Sequence, residues 1–551
     1  MSAQTKKEAP PPPRRASSSS TETTPDEQTG VLHWADQAAR VVLERSKDKE
    51  EVVVSSGITP SGTVHVGNFR EVITVDLVAR AIRDAGKQVR FIYSWDDYDP
   101  LRKVPKNLPK QDLLKTYLGK PISETPDTTG TYRSFAERNE KEFEQYLPLL
   151  GIQPQFIYQH ERYTSCAYAP HIREALRARH AIRTILNAFR KEPLPQDWFP
   201  LSIFCEACKT NKTRVVNYDE EYAVTYTCDC GHTNTFDFRT TGICKLPWRV
   251  DWPMRWHAEG VDFEPGGKDH FTAGGSYDSA SQIIRTVWSE EPPYGFMYEW
   301  IAIKGGGEFA SSSGNVLTLH DLLAVYEPPI IRYLFAGTRP GAKFNISFDL
   351  DVIKIYEDFD RCERIYYGAQ EAKNEKEAKN MKRIYELSCV NTPAKTLPFQ
   401  PPFRHVTTVL QLYEGDIEKT TNHFQDSFKT DQDRERTRLR VQCAKNWLER
   451  HAPESMRFSV QNSPPPDVLA SLTPAQKAAL KRVAALVSTS SAEEEIHKGI
   501  YEIAKEENIP PRELFQKAYL CLIGKERGPR LASFLKLLGP ERVQNIFSHL
   551  S

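Results

Sequence analysis

The sequence predicts an α/β protein with a Rossmann-like parallel sheet, a small inserted zinc module and a long α-helical C-terminal region. Three observations carry that expectation. Near the start, a β-branched run, a polar turn, a helical stretch and a second β run follow one another; two cysteine pairs sit among short β-like runs further on; and from Asp349 onward Glu, Lys, Leu and Ala recur at helical spacing.

Residues 1–30 hold Pro10 to Pro13, Arg14, Arg15 and Ser17 to Ser20 with almost no apolar side chain. They cannot bury enough surface to fold, and a disordered tail is expected; the apolar run of a secretory signal is missing. Ala35 to Leu43 reads as a short helix. Glu51-Val-Val-Val-Ser-Ser56 reads as a buried strand, and Gly57-Ile-Thr-Pro-Ser-Gly62 breaks it. Val66, Phe69, Val72, Ile73, Val78 and Ile82 then recur as in a helix, which Gly86 stops. Val89 to Ser94 is a second strand, ending in Asp96-Asp97-Tyr98-Asp99. This βαβ order implies parallel strands with a right-handed crossover, and such sheets bind ligands beyond the carboxyl ends of their strands. Both polar loops, 59–68 and 96–99, fall at that edge. Residues 193–245 change to short β-like runs, Tyr222 to Thr227 among them, and read as an inserted module. A first domain is expected over 31–350 and a helical one over 351–551, punctuated by proline-containing stretches at 391–403 and 463–466, with no internal repeat.

Composition narrows the function classes. A chain of 551 residues can bury more than one core, and 39% hydrophobic with 26% charged residues is ordinary for a globular protein. No apolar run approaches the roughly 18 residues that span a bilayer, so no membrane role is expected. Lys plus Arg (73) equals Asp plus Glu (73), so any nucleic-acid contact must come from local patches such as Arg434, Arg436, Arg438, Arg440 and Lys445; the same run also fits a solvated helix face. Of ten cysteines, four cluster between 205 and 230. That is no disulfide framework, and a reducing, cytoplasmic setting fits. Cys205-x-x-Cys208 and Cys228-x-Cys230 suit tetrahedral zinc, with His232 or Cys244 as alternatives for one member. Four protein ligands leave no open position, so the zinc would be structural.

Two segments carry chemistry. Pro60-Ser61-Gly-Thr-Val-His65-Val-Gly67-Asn68 lies between a strand and a helix, where glycine permits close backbone approach and the helix N-terminus offers unpaired N–H groups to phosphate. His65 can donate to phosphate oxygens as charge grows during attack on the α-phosphorus. The Gly-Lys-Ser/Thr of a P-loop is absent. Far downstream, Gly305-Gly-Gly-Glu308-Phe-Ala-Ser311-Ser312-Ser313-Gly314-Asn315 has the hydroxyl and backbone donors of a phosphate-closing flap.

In this order the two segments resemble those of class I aminoacyl-tRNA synthetases. His65-Val-Gly67-Asn68 is similar to the His-Ile-Gly-His signature with its last histidine changed, and Glu308 to Asn315 aligns with the Lys-Met-Ser-Lys-Ser loop. Within the class, Ser94-Trp-Asp-Asp-Tyr-Asp99, Lys245 to Trp256, Gly267-Lys-Asp-His270 and Gly524 to Arg530 resemble the class I lysyl enzymes, so the likeness runs from about residue 50 to the end. The resemblance implies an ATP-dependent ligase that uses Mg2+-bound ATP to activate L-lysine and passes it to tRNA(Lys), with the helical region on the anticodon stem; a monomer is expected. It implies that Pro60, Ser61, His65, Gly67, Asn68 and Ser311 to Asn315 hold ATP, with His65, Gly67, Asn68, Ser311 and Ser312 serving catalysis. It also implies that Gly57 and Thr59 meet the amino acid, with Trp248, His270 and Tyr298 lining its pocket. One departure is the loss of the loop lysines, at Glu308 and Ser311; Lys304 is the expected substitute for their charge. An ε-ammonium taken out of water needs a carboxylate, and Asp96, Asp97, Asp99 and Asp269 are the candidates, the choice open. The rival readings are a synthetase for another amino acid, another nucleotidyltransferase, and an idle RNA-binding paralogue.

Overall fold

The structure, a computed structural model, describes residues 33–105, 108–304, 307–308, 316–490 and 492–550. The expected disordered tail and the serines and glycine of 311–315 lie outside these residues.

Helix α1 (Trp34–Arg45) starts at His33, whose Nδ1 accepts from the Ala35 amide at 3.1 Å. Strand β1 (Glu51–Ile58), helix α2 (Val66–Asp84) and strand β2 (Gln88–Trp95) form the expected βαβ unit. The strands pair in parallel from Glu51 opposite Gln88 to Ile58 opposite Trp95. Helix α3 (Phe135–Glu144) leads to β3 (Gln155–Tyr158), which joins β2 in parallel. On the other side of β1, single parallel bridges run from Val54 to Phe263 and from Phe263 to Tyr294. Across the sheet the order is therefore β3, β2, β1, Phe263, Tyr294, and the direction of growth reverses at β1. A crevice opens at such a reversal on the carboxyl edge, which is where ligands bind in these sheets. Val52, Val53 and Val54 are all buried because elements cover both faces of β1, which is why the strand reads as a continuous apolar run.

Helix α4 (Ala169–Arg177) precedes an antiparallel meander of β4 (Thr213–Tyr218), β5 (Ala223–Cys228) and β6 (Thr233–Asp237), the inserted module. Helices α5 (Trp248–Glu259) and α6 (Ser276–Val287) return the chain to the sheet. A second small sheet pairs β7 (Ile301–Ile303) with β8 (Phe344–Ile346) in parallel, flanking α7 (Pro328–Ala336). Beyond these, α8 (Asp351–Tyr366), α9 (Glu375–Ser388) and α10 (Asp431–Arg450) begin the helical half. No helix of the described residues is long and apolar enough to cross a membrane.

The packing does not divide at residue 350, where the sequence placed a boundary. One hydrophobic core runs from Ala35 to Ala452. A second, built from Val468 to Leu550 with Leu412 added, holds the last six helices of the described residues. The reason lies at the seam between α10 and the residues before 370. Arg440 is fully buried and pairs with Asp360 at 2.8 Å and Glu327 at 2.5 Å, while Arg436 pairs with Glu363 at 2.8 Å. The arginine run expected as one cationic surface is thus split by the helical period. Arg436 and Arg440 are four apart and turn inward; Arg434 and Arg438 turn outward and meet Glu418.

Candidate active site

A cavity of about 630 Å3 sits at the carboxyl edge of β1 and β2 and reaches under α5. Its floor begins at Gly57, where a Cβ would meet the Ser94 carbonyl oxygen at 2.7 Å, so the two parallel strands approach too closely for any larger residue. Thr59, Ser61, His65, Gly67 and Asn68 follow along the wall up to the start of α2. Asn68 stands where the resembled signature has its second histidine, and it acts as a cap: its Oδ1 accepts from the His65 amide at 3.1 Å. Burial lowers the pKa of His65, so at neutral pH it presents a neutral imidazole beside the positive end of a 19-residue helix. This end of the cavity suits an anion. Pro60 is not on the wall; its carbonyl oxygen accepts from Asn139 Nδ2 at 3.0 Å, which pins the loop from behind.

The opposite end is acidic. Glu71 projects from α2, four residues after Gly67 and so on the same helix face, and accepts from the Gly57 amide at 3.0 Å and from the Tyr298 hydroxyl at 2.6 Å. Both donors are neutral. Burial, unrelieved by any ion pair among the described residues and reinforced by Glu264 and Asp96, pushes the Glu71 carboxyl up to about 8. Burial and the same glutamate keep Tyr298 protonated as its donor. Glu264, also raised by burial, accepts from Trp252 Nε1 at 3.0 Å and Trp256 Nε1 at 2.7 Å. His270 lies 5.7 Å from Trp248 and 5.8 Å from Trp252, ring to ring, and the three make an aromatic wall. Sequence reasoning missed Glu71 and Glu264. The helical spacing from Gly67 was the one local signal for the first.

The four aspartates weighed as lysine partners separate in space. Asp96 lines the cavity but is held by Arg255 at 2.6 Å. Asp99 lines it too and pairs with the buried Lys245 at 2.5 Å. Asp97 is fully buried and turned away, accepting from the His160 amide at 2.7 Å and paired with the His160 ring. Burial opposes a charge on His160, yet the bond to Asp97 outweighs it and raises the pKa. Asp269 stands on the rim, mostly exposed, 3.6 Å from His270. Lys304 does not line the cavity; it bridges Asp349 and Asp351 at the surface. Trp248, His270 and Tyr298 all line the cavity, and Ser311, Ser312, Ser313, Gly314 and Asn315 lie outside the described residues.

In the inserted module the sulfurs of Cys205, Cys208, Cys228 and Cys230 lie within 4.8 Å of one another. Cys205 and Cys230 sulfurs are 3.8 Å apart and those of Cys208 and Cys228 3.6 Å. A tetrahedron of sulfurs at about 2.3 Å from zinc has edges of about 3.8 Å, and these two distances match it. Neither His232 nor Cys244 belongs to this cluster. All ten cysteines are free of disulfides.

The chain matches two family descriptions: "tRNA synthetases class I (K)" over residues 32–391 and "Anticodon binding domain" over residues 451–545. It is 48% identical over 522 residues to a lysine–tRNA ligase of Borreliella burgdorferi, covering 94% of this chain and 99% of that one. Identity is 44% over 524 residues to a lysine–tRNA ligase of Treponema pallidum, with 94% and 98% covered. For the lysine–tRNA ligase of Pyrococcus furiosus it is 41% over 526 residues, with 93% and 98% covered. A sheet-edge cavity with an anion-seeking helix start at one end and an acidic, aromatic-walled recess at the other, on a chain matched along nearly its whole length, belongs to the class I lysyl-tRNA synthetase family.

Proposed function

We propose that this protein is a lysine–tRNA ligase, which activates L-lysine with ATP to lysyl-adenylate and transfers the lysyl group to the 3′ end of tRNA(Lys). The observation that carries this reading is the Glu71 recess: a carboxyl buried among neutral donors and other acids, with no ion-pair partner among the described residues, beneath an aromatic wall. An incoming ε-ammonium supplies the missing charge, the Tyr298 hydroxyl orients the carboxylate, and the tryptophan faces cover the methylene stem. A neutral or acidic amino acid would leave the recess uncompensated.

The α2 end takes the nucleotide. Mg2+ accompanies the ATP phosphates as their counter-ion. The lysine carboxylate attacks the α-phosphorus, and the bond to pyrophosphate breaks as the new P–O bond forms. The α2 amides and the neutral His65 donor meet the charge gathering on the phosphoryl oxygens; no proton has to move and no covalent enzyme intermediate forms. In the second step the terminal 2′ hydroxyl of tRNA attacks the lysyl carbonyl, the acyl–phosphate bond breaks, and AMP leaves with the hydroxyl proton passing to its phosphate. The resemblance assigns Ser311 to Asn315, which lie outside the described residues, to the ATP phosphates. The four cysteines hold a structural zinc that stiffens the inserted module.

The anticodon goes to the last helices rather than to Arg440, which is buried, or Arg436, which is largely covered and paired inward with Glu363. There Tyr501, 46% exposed, lies 5.1 Å from His497 and 5.5 Å from Phe515, ring to ring, and offers a stacking face for unpaired bases. The enzyme works as a cytoplasmic monomer, consistent with ten cysteines that form no disulfide.

ATP–pyrophosphate exchange with each of the twenty amino acids, followed by charging of tRNA(Lys) transcript, tests the proposal. Exchange with lysine alone and charging of that transcript are expected. Exchange with another amino acid, or tRNA binding without any exchange, would overturn it.

A further inference from the structure

Away from the active-site cavity and the cysteine cluster, His171 and Glu174 on α4 and His257 on α5 bring their ligand atoms within 4.8 Å of one another. We infer that they form a second metal site, for a divalent transition ion of the zinc class, clamping α4 to α5. His171 and Glu174 are three apart and share a helix face. The buried Nδ1 of His171 makes no hydrogen bond and lies 3.4 Å from Glu174 Oε2. That is too poorly aligned for a hydrogen bond, yet it is the edge of a tetrahedron whose nitrogen and oxygen ligands stand about 2.1 Å from the ion.

The surrounding groups orient this set as outer partners orient metal ligands. His257 Nδ1 lies 2.9 Å from Glu290 Oε1; donating there leaves the other ring nitrogen unprotonated, as a ligating imidazole requires. Trp288 Nε1 donates to Glu174 Oε2 at 2.7 Å, which fixes the carboxylate while a second lone pair stays open. Trp288 also stacks on the His257 ring at 5.4 Å. Glu174 is 42% exposed, so water reaches the fourth position. Two imidazoles and one carboxylate from two helices select zinc, nickel or cobalt over magnesium and calcium, which prefer oxygen alone. Since α5 also carries Trp248, Trp252 and Arg255 of the cavity wall, an ion here steadies that wall from its far side.

The test is metal content and ligand type in the full-length protein. After equilibration in zinc buffer and removal of free ion, the wild type is expected to hold two zincs per chain. The double variant His171→Gln with His257→Gln should hold one, and Glu290→Gln should weaken the second zinc roughly 10- to 100-fold. Circular dichroism checks that the variants fold. Should the double variant not fold, zinc-edge X-ray absorption of the wild type decides. A mixture of sulfur and nitrogen or oxygen neighbours supports the site; sulfur alone overturns it. One zinc per chain in the wild type, or two in a folded double variant, also overturns it and leaves the trio as an interhelical contact without an ion.

Discussion

Replacing Glu71 by glutamine isolates the charge in the lysine recess while keeping its shape. Glutamine still offers an oxygen to the Gly57 amide but turns its NH2 toward the Tyr298 hydroxyl, so the main loss is the charge opposite the ε-ammonium, and stripping one partner from a buried ion pair costs about 3 to 5 kcal/mol. At pH 7 part of that is already spent in the wild type. A carboxyl whose pKa is about 8 must first ionise, at about 1.4 kcal/mol for one pH unit. The net loss at pH 7 is then about 1.6 to 3.6 kcal/mol, or roughly 15- to 400-fold in kcat/KM for lysine. The pH dependence follows with a definite sign. Bound ammonium favours the ionised form, so binding below pH 8 releases a proton, and lysine affinity rises by up to about tenfold per unit until pH 8 and then levels off. In the lysine-free protein the folded state keeps a proton that the unfolded chain gives up. This one group therefore costs stability as pH rises from its ordinary value of 4.5 to about 8, and lysine restores it. ATP–pyrophosphate exchange between pH 6 and 9, on wild type and Glu71→Gln, reads both effects. A wild-type KM for lysine that is flat over this range, or a variant within about threefold of wild type at pH 8.5, would refute the reasoning.

His65→Ala should lower kcat for exchange by roughly 10²- to 10³-fold while the KM for lysine stays within about threefold, because the lost donor serves the phosphoryl transition state rather than the amino acid; a loss confined to KM would contradict that role. Gly57→Ala must push against the Ser94 carbonyl at 2.7 Å, and a shift of this kind at the cavity floor should cost on the order of 100-fold in kcat/KM, measured by the same exchange assay. Arg440→Met strips Glu327 and Asp360 of their short buried partner and leaves them only the longer contacts from Arg436, at 3.4 and 3.9 Å, so urea unfolding should show about 3 to 5 kcal/mol of lost stability. By contrast Arg438→Met, at the surface, should change stability by less than about 1 kcal/mol.

Much of this was legible in the sequence because it is local. Periodicity gave β1, α2 and β2, although β1 runs through Gly57 to Ile58 where the sequence had the strand broken. Spacing alone paired the cysteines, since a gap of one or two residues brings two sulfurs near one ion wherever the module sits. The resemblance carried the rest of the outline, including Trp248, His270 and Tyr298 on the cavity wall.

What the tertiary structure decided is which charges meet. Asp96 and Asp97 are neighbours in sequence, but successive side chains leaving a strand point to opposite faces, so one faces the cavity and Arg255 while the other is buried against His160. Glu71 reads as an ordinary polar residue in a helix until β1 and Tyr298 enclose it, and Arg440 reads as surface until Asp360 and Glu327 arrive from elsewhere in the chain. Periodicity and spacing are properties of short segments and survive in the sequence. Desolvation and ion pairing depend on groups hundreds of residues apart, and only the folded chain sets their distances.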